Sequence, residues 1–261
     1  MTLRIYQVDA FHHEVLRGNP AAVIPLATWL PDGQLQAIAR ENNLSETVYF
    51  LPAVDGQIPL RWFTPNKEVR LCGHATLATA HVLLQEMGLT QAELSFQTLS
   101  GTLTVARKGD GYQMNFPADF GQEVPVDKAI QQAIGTEVTA LRQGKDDLLC
   151  IVKDQAAVAQ LQPDLTAISQ LPHRGVIVSA PGDAVDFVSR CFYPAYGINE
   201  DPVTGSAHTL MTPYWSKHLG KKELTARQIS QREGILAVAL AEDRVLLSGE
   251  AVTYLRGEVY V

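Results

Sequence analysis

Three cysteines in 261 residues, Cys72, Cys150 and Cys191, form neither a disulfide framework nor a metal-ligand spacing. A reducing, cytoplasmic compartment is expected. No apolar run approaches the ~20 residues that a membrane span needs. The opening M-T-L-R-I-Y-Q-V-D-A-F lacks a basic region followed by a long apolar one, so no secretory signal is expected. Basic residues are in deficit, 21 against 28 acidic, for a formal charge of -7. No basic cluster exists to meet phosphates, which argues against a nucleic-acid partner. What remains is an ordinary globular balance, 46% hydrophobic and 19% charged, in a chain long enough for two domains.

The chain nearly repeats itself after about half its length. Shifted by 129, Arg61, Phe63 and Pro65 meet Arg190, Phe192 and Pro194. Shifted by 132, Gly73, Ala75 and Gly88 meet Gly205, Ala207 and Gly220; at 133, Gly101, Leu103 and Val105 meet Gly234, Leu236 and Val238. Ordered matches at structure-breaking residues imply a duplicated unit. We expect domains over 1–118 and 119–261, with a small-molecule site at the cleft between them.

Pattern and punctuation predict strands over Leu3–Phe11, Ala21–Leu26, Thr47–Leu51 and Ile58–Phe63, and a helix from Pro31-Asp32 to Asn42-Asn43. A helix over Gly73–Met87 is apolar or small on nearly every side and should be buried all round. The strands Leu94–Gln97, Gly101–Lys108 and Tyr112–Phe116 would wrap it. Pro117–Val126 reads as a linker. The second half repeats the scheme: strands over Leu148–Val152, Gly175–Ser179 and Phe187–Phe192, a helix around Leu165–Leu171, and another from Gly205. Pro213 is expected to kink or interrupt that last helix. Closing strands are expected over Ile235–Ala241, Val245–Gly249 and Glu258–Val261. The class is α+β: two pseudo-symmetric half-barrels, each a curled, mostly antiparallel sheet around a central helix.

Each half opens its buried helix with a glycine, in L-C-G-H-A-T and P-V-T-G-S-A-H. A helix start leaves N–H groups unpaired and carries partial positive charge, so Gly73 and Gly205 are candidate binders of a carboxylate or a developing anion. Close packing of helix on sheet explains the same glycines equally well. The polar groups differ between halves: His74 meets Ser206, Cys72 meets Thr204, and Glu46 meets Gly175. Any site is therefore asymmetric. Glu46, at the mouth of an apolar strand, is placed for partial burial and for use as a general base. His74 reads equally as a satisfied core histidine, Cys72 as a small buried residue at a tight loop, and Asp201 as a turn-holder.

The motifs G-N-P-A-A-V, S-E-T, F-T-P-x-x-E-V-x-L-C-G-H-A-T-L-A and E-D-P-V-T-G-S-A-H, in this order across nearly the whole chain, closely resemble the PhzF-like (phenazine biosynthesis) isomerase family. The resemblance implies the diaminopimelate epimerase-like fold. It implies Glu46 as general base with His74, Asp201 and Ser206 as its catalytic companions, and Gly73, Gly205, Cys72 and Thr204 in contact with a small carboxylate-bearing substrate. It implies an isomerase with no metal and no cofactor, and a homodimer. Two rivals remain open: a one-thiol epimerase or dehydratase of the proline racemase type, using Cys72 with Thr204, and a non-catalytic binding protein on the same fold.

Overall fold

The computed structural model describes residues 1–261. Its first half contains β1 (Thr2–Ala10), β2 (Asn19–Pro25), α1 (Asp32–Asn42), β3 (Glu46–Phe50), β4 (Gln57–Phe63), β5 (Glu68–Val69) and α2 (Gly73–His81). β6 (Glu93–Thr98), β7 (Gly101–Lys108) and β8 (Gly111–Pro117) follow. The second half begins with β9 (Gln122–Val124), α3 (Lys128–Ile134), β10 (Ala140–Gln143), β11 (Asp147–Ile151), α4 (Gln155–Ala159) and α5 (Leu165–Ser169). It continues with β12 (Gly175–Pro181), β13 (Phe187–Tyr193), β14 (Ile198–Asp201) and α6 (Gly205–Leu219). β15 (Glu223–Gln228), β16 (Gly234–Ala241), β17 (Arg244–Gly249) and β18 (Ala251–Tyr260) close the chain.

Met1–Asn115 and Ser248–Val261 form one compact unit, Phe116–Leu247 another. The terminal segment thus departs from the expected 119–261 division. β18, expected only over Glu258–Val261, runs for ten residues and pairs antiparallel along the whole of β1.

The duplication reaches the level of strand register. In the first unit β1–β2 is antiparallel, β2–β3 parallel, β3–β4 and β4–β5 antiparallel, β4–β6 parallel and β6–β7 antiparallel. In the second, β10–β11, β11–β12, β12–β13, β13–β14, β13–β15 and β15–β16 repeat that series. Thr47 faces Phe63 and Tyr49 faces Arg61; Val176 faces Phe192 and Val178 faces Arg190, a constant shift of 129. A repeated brace explains the matching arginines. Arg61 forks onto Glu68 at 2.7 and 2.8 Å, and Arg190 onto Glu200 at the same distances. Each guanidinium also lies over the phenylalanine two residues on, at 5.1 and 5.2 Å.

Each long helix sits inside its own sheet. From His74 to His81 every residue of α2 is buried. The helix touches β1, β2, β3, β7 and β18, strands spread so widely that only a curled sheet brings them all to one helix. α6 likewise touches β11, β15 and β16. The other sheet face is covered too. Leu35, Ile38 and Ala39 of α1 pack on Ile24, Tyr49 and Phe63. Side chains of α3, α4 and α5 pack on β10–β13. β3, β11 and the first six residues of β12 are therefore buried throughout.

Three expectations need correction. α6 runs unbroken through Pro213. Proline removes the N–H that would bond the Thr209 carbonyl, and that carbonyl accepts from the Asp119 N–H at 3.0 Å instead. The expected linker 117–126 holds β9, paired with β10. The helix expected over Gly73–Met87 leaves α geometry at Val82. Val82–Glu86 forms a π turn, with the Met87 N–H reaching the Val82 carbonyl.

Candidate active site

Two helix starts carry the polar residues singled out in the sequence, one in each unit. In the first, Cys72 is the extended residue before α2, and its side chain does not cap the helix. His74 is the second helical residue, and its ring reaches the first residue of β3, Glu46. His74 Nε2 lies 3.1 Å from Glu46 Oε2, with side chains only 6% and 10% exposed. The distance is that of an ion pair, though its angles fall short of an aligned hydrogen bond. On the other ring edge, Nδ1 lies 3.5 Å from Cys72 Sγ. A charged Glu46 favours the proton on Nε2, leaving Nδ1 to accept from the thiol.

Glu46, Cys72 and His74 are also the residues that could hold an ion, since their ligand-capable atoms lie within 4.8 Å of one another. Carboxylate and thiol address opposite ring nitrogens, however. An ion taking either nitrogen would displace one of the two contacts.

In the second unit Thr204 precedes α6 in extended geometry and does not cap it. Its hydroxyl donates to Asp201 Oδ2 at 2.5 Å. The turn between them is cemented from two sides. Gln228 donates to the Asp201 carbonyl at 2.7 Å and accepts from the Thr204 N–H at 2.8 Å. His208 Nδ1 lies 2.8 Å from the Thr204 carbonyl. Burial lowers the His208 pKa to about 4, so the ring is neutral and Nδ1–H is the donor. Ser206, the second residue of α6, takes a hydrogen bond at 3.0 Å from Arg174 Nη2. Arg174 is itself forked onto Asp147, Nε to Oδ1 at 2.8 Å and Nη2 to Oδ2 at 2.5 Å.

The structure thus gathers Glu46, Cys72 and His74 around the start at Gly73, and places Asp201, Thr204 and Ser206 around the start at Gly205. Cys150 and Cys191 are buried away from solvent. Burial pushes the Cys150 thiol up to about 12 and the Cys191 thiol well above its ordinary value. Sequence reasoning missed Asp147, Arg174, His208 and Gln228. Two signals were there: His208 closes the motif E-D-P-V-T-G-S-A-H, and the R-G pair at 174–175 falls at the point of the repeat that matches S-E at 45–46.

Comparison with known proteins places the chain in a family. The family described as phenazine biosynthesis-like protein (PhzC-PhzF) matches residues 8–257. A protein named an uncharacterized isomerase in Pseudomonas aeruginosa is 48% identical over 262 residues, covering all of both chains. A crystal structure of a PhzF-family phenazine biosynthesis protein from Enterococcus faecalis superposes with a TM-score of 0.97 at 45% identity, covering all of both chains. The chain belongs to the phenazine biosynthesis-like (PhzF) family. A hydroxyproline epimerase from Agrobacterium vitis shares the fold alone, with a TM-score of 0.62 at 10% identity over 99% of this chain and 92% of that one.

Proposed function

We propose that the protein is an isomerase, free of cofactor and metal, that moves a proton on a small carboxylated substrate by general acid/base catalysis at an inter-domain cleft. The observation that carries this reading is the shielded 3.1 Å contact between His74 and Glu46 at the start of a buried helix. Glu46 takes the proton from a carbon next to an unsaturated, carboxylated system. The electron pair of the broken C–H bond moves into that system. Negative charge then grows toward the carboxylate, where helix-end amides at Gly73 and Gly205, with His74 and Ser206, stabilise it, while Asp201 serves as an acid–base companion. Protonated Glu46 returns the proton at another carbon, so the net change is an isomerisation. A positioned acid–base group supplies about 10²–10⁴ in rate. A carbon acid is weak, so donors to the developing anion are needed as well.

The rival one-thiol reading needs Thr204 to assist loss of a hydroxyl group, and the Thr204 hydroxyl is engaged with Asp201. That favours the carboxylate as base. Residence in the cytoplasm and assembly as a homodimer belong to the same proposal.

The test is incubation of the protein in D2O with a panel of ring and chain carboxylic acids bearing an acidic C–H, followed by NMR. Deuterium should enter at least one acid at a defined carbon, with a chelator present, and Cys72→Ala should keep the exchange within a few-fold. Exchange abolished by Cys72→Ala would move the chemistry to the thiol. Absence of exchange across the panel would favour a binding protein.

A further inference from the structure

The repeat sets Gly175 where the first half has Glu46, and the structure shows what the second unit does with that place. Glu46 opens β3 and faces Ala21 on the parallel strand β2. Gly175 opens β12 and faces Asp147 on the parallel strand β11. The carboxylate has moved one strand across, and Arg174 takes both of its oxygens. The space a side chain would fill at 175 is occupied by the Tyr193 ring, whose Cδ1 would stand 2.1 Å from an added Cβ. The Arg174 guanidinium lies over that ring, 5.3 Å from its centre. Its main-chain N–H is tied to the Asp146 carbonyl at 2.8 Å. Clamp, platform and backbone tie together leave this arginine one orientation.

That orientation sends Nη2 to Ser206 Oγ. A guanidinium only donates, so the serine oxygen must accept, and its own proton turns away from the arginine. No group of the chain is bonded to that proton, and the serine stands in the first turn of α6, which the Thr204 side chain does not cap. Asp147 cancels the arginine's charge locally. The result is a set of directed donors rather than a strong positive field, suited to one oxygen of a carboxylate. Arg174 keeps its charge. Burial opposes it, and the hydrogen bonds and charge of Asp147 outweigh that opposition.

We infer that Arg174 is a positioning residue of the substrate site: held by Asp147, it fixes the Ser206 hydroxyl as a hydrogen-bond donor to the substrate's carboxylate. This rests on the reading of Ser206 as part of that site.

The test uses calorimetry with benzoate as the probe and benzamide as its neutral counterpart. Wild type should bind benzoate in preference. Arg174→Lys keeps a cation beside Asp147 but loses the fork. It should weaken benzoate about tenfold and leave benzamide nearly unchanged, a selectivity that a merely structural role would not alter. Ser206→Ala should cost a similar factor, and the double variant no more than either single one, since the two act as one unit. Arg174→Gln should weaken benzoate in the same way. Should it fail to fold with Asp147 left buried and unpaired, the Asp147→Asn/Arg174→Gln pair replaces both charges by amides and serves instead.

Wild type indifferent between benzoate and benzamide, unchanged benzoate affinity in the Arg174 variants, or losses that simply add would each overturn the inference. Glu46→Gln separates it from the catalytic reading. Benzoate binding that depends on Arg174, beside proton exchange that does not depend on Glu46, would sink the base and leave the inference standing. Glu46-dependent exchange with Arg174-independent binding would do the reverse.

Discussion

Replacing Gly175 by alanine adds a single methyl group where the second unit has no room for one. The new Cβ would stand 2.1 and 2.4 Å from ring atoms of Tyr193 and 2.6 Å from the Phe192 carbonyl oxygen. The tyrosine is buried, and the carbonyl belongs to β13, which pairs with β12 itself and cannot retreat without breaking the ladder. Overpacking of this kind costs about 1–3 kcal/mol, and with a backbone atom in the clash the upper end applies. In a chain of this size about 1 kcal/mol moves the melting temperature by roughly 2–4 °C, so a fall of roughly 6–12 °C is expected. Gly33→Ala is the matched control. Gly33 lies in the first turn of α1, and nothing stands within 4 Å of its added Cβ. There alanine should raise stability by about 0.5 kcal/mol through helix propensity and a stiffer unfolded chain. Calorimetric melting of both variants decides the matter. A Gly175→Ala protein that melts with wild type would refute the account of how Tyr193 and β13 fill that position.

Burial lowers the pKa values of both His81 and His208 to about 4, so the folded protein keeps these rings neutral where the unfolded chain protonates them. The unfolded state therefore binds more protons between about pH 4 and 6.5, and stability should fall as pH drops through that window. His208→Asn should flatten the fall, and melting temperatures measured from pH 7 to 4 check both statements. Thr204→Val removes the hydroxyl that holds Asp201 Oδ2 and should reduce proton exchange about tenfold, while Thr204→Ser should restore most of it. Equal exchange in the valine and serine variants would show that this bond does not place Asp201 for catalysis.

Much of this fold was legible because the repeat is written in residues with one physical job. Glycines mark the helix starts and turns, and Arg61 and Arg190 recur because each braces the same pair of strands. The all-round apolar run from Ala75 to Leu84 announced a helix enclosed by sheet, and Gly73, His74, Gly205 and Ser206 stand at the helix starts as read. Other features depend on distant partners. Pro213 breaks nothing because its orphaned carbonyl is met by Asp119, far off in sequence. Asp147 and Arg174 look like surface charges until the parallel pairing of β11 with β12 brings them together. β18 carries an exposed, weakly alternating sequence, and its length is set by its pairing with β1 rather than by its own pattern.

The central claim is that the Glu46 carboxylate moves the proton, and Glu46→Gln tests it most directly. Glutamine keeps the size of the side chain and its contact with His74 but removes the basic oxygen. Solvent-deuterium incorporation, measured by NMR into an acid that wild type exchanges, should fall by at least ~10². Affinity for that acid and the melting temperature should stay near wild type. Exchange at the wild-type rate in a folded Glu46→Gln protein would contradict the account.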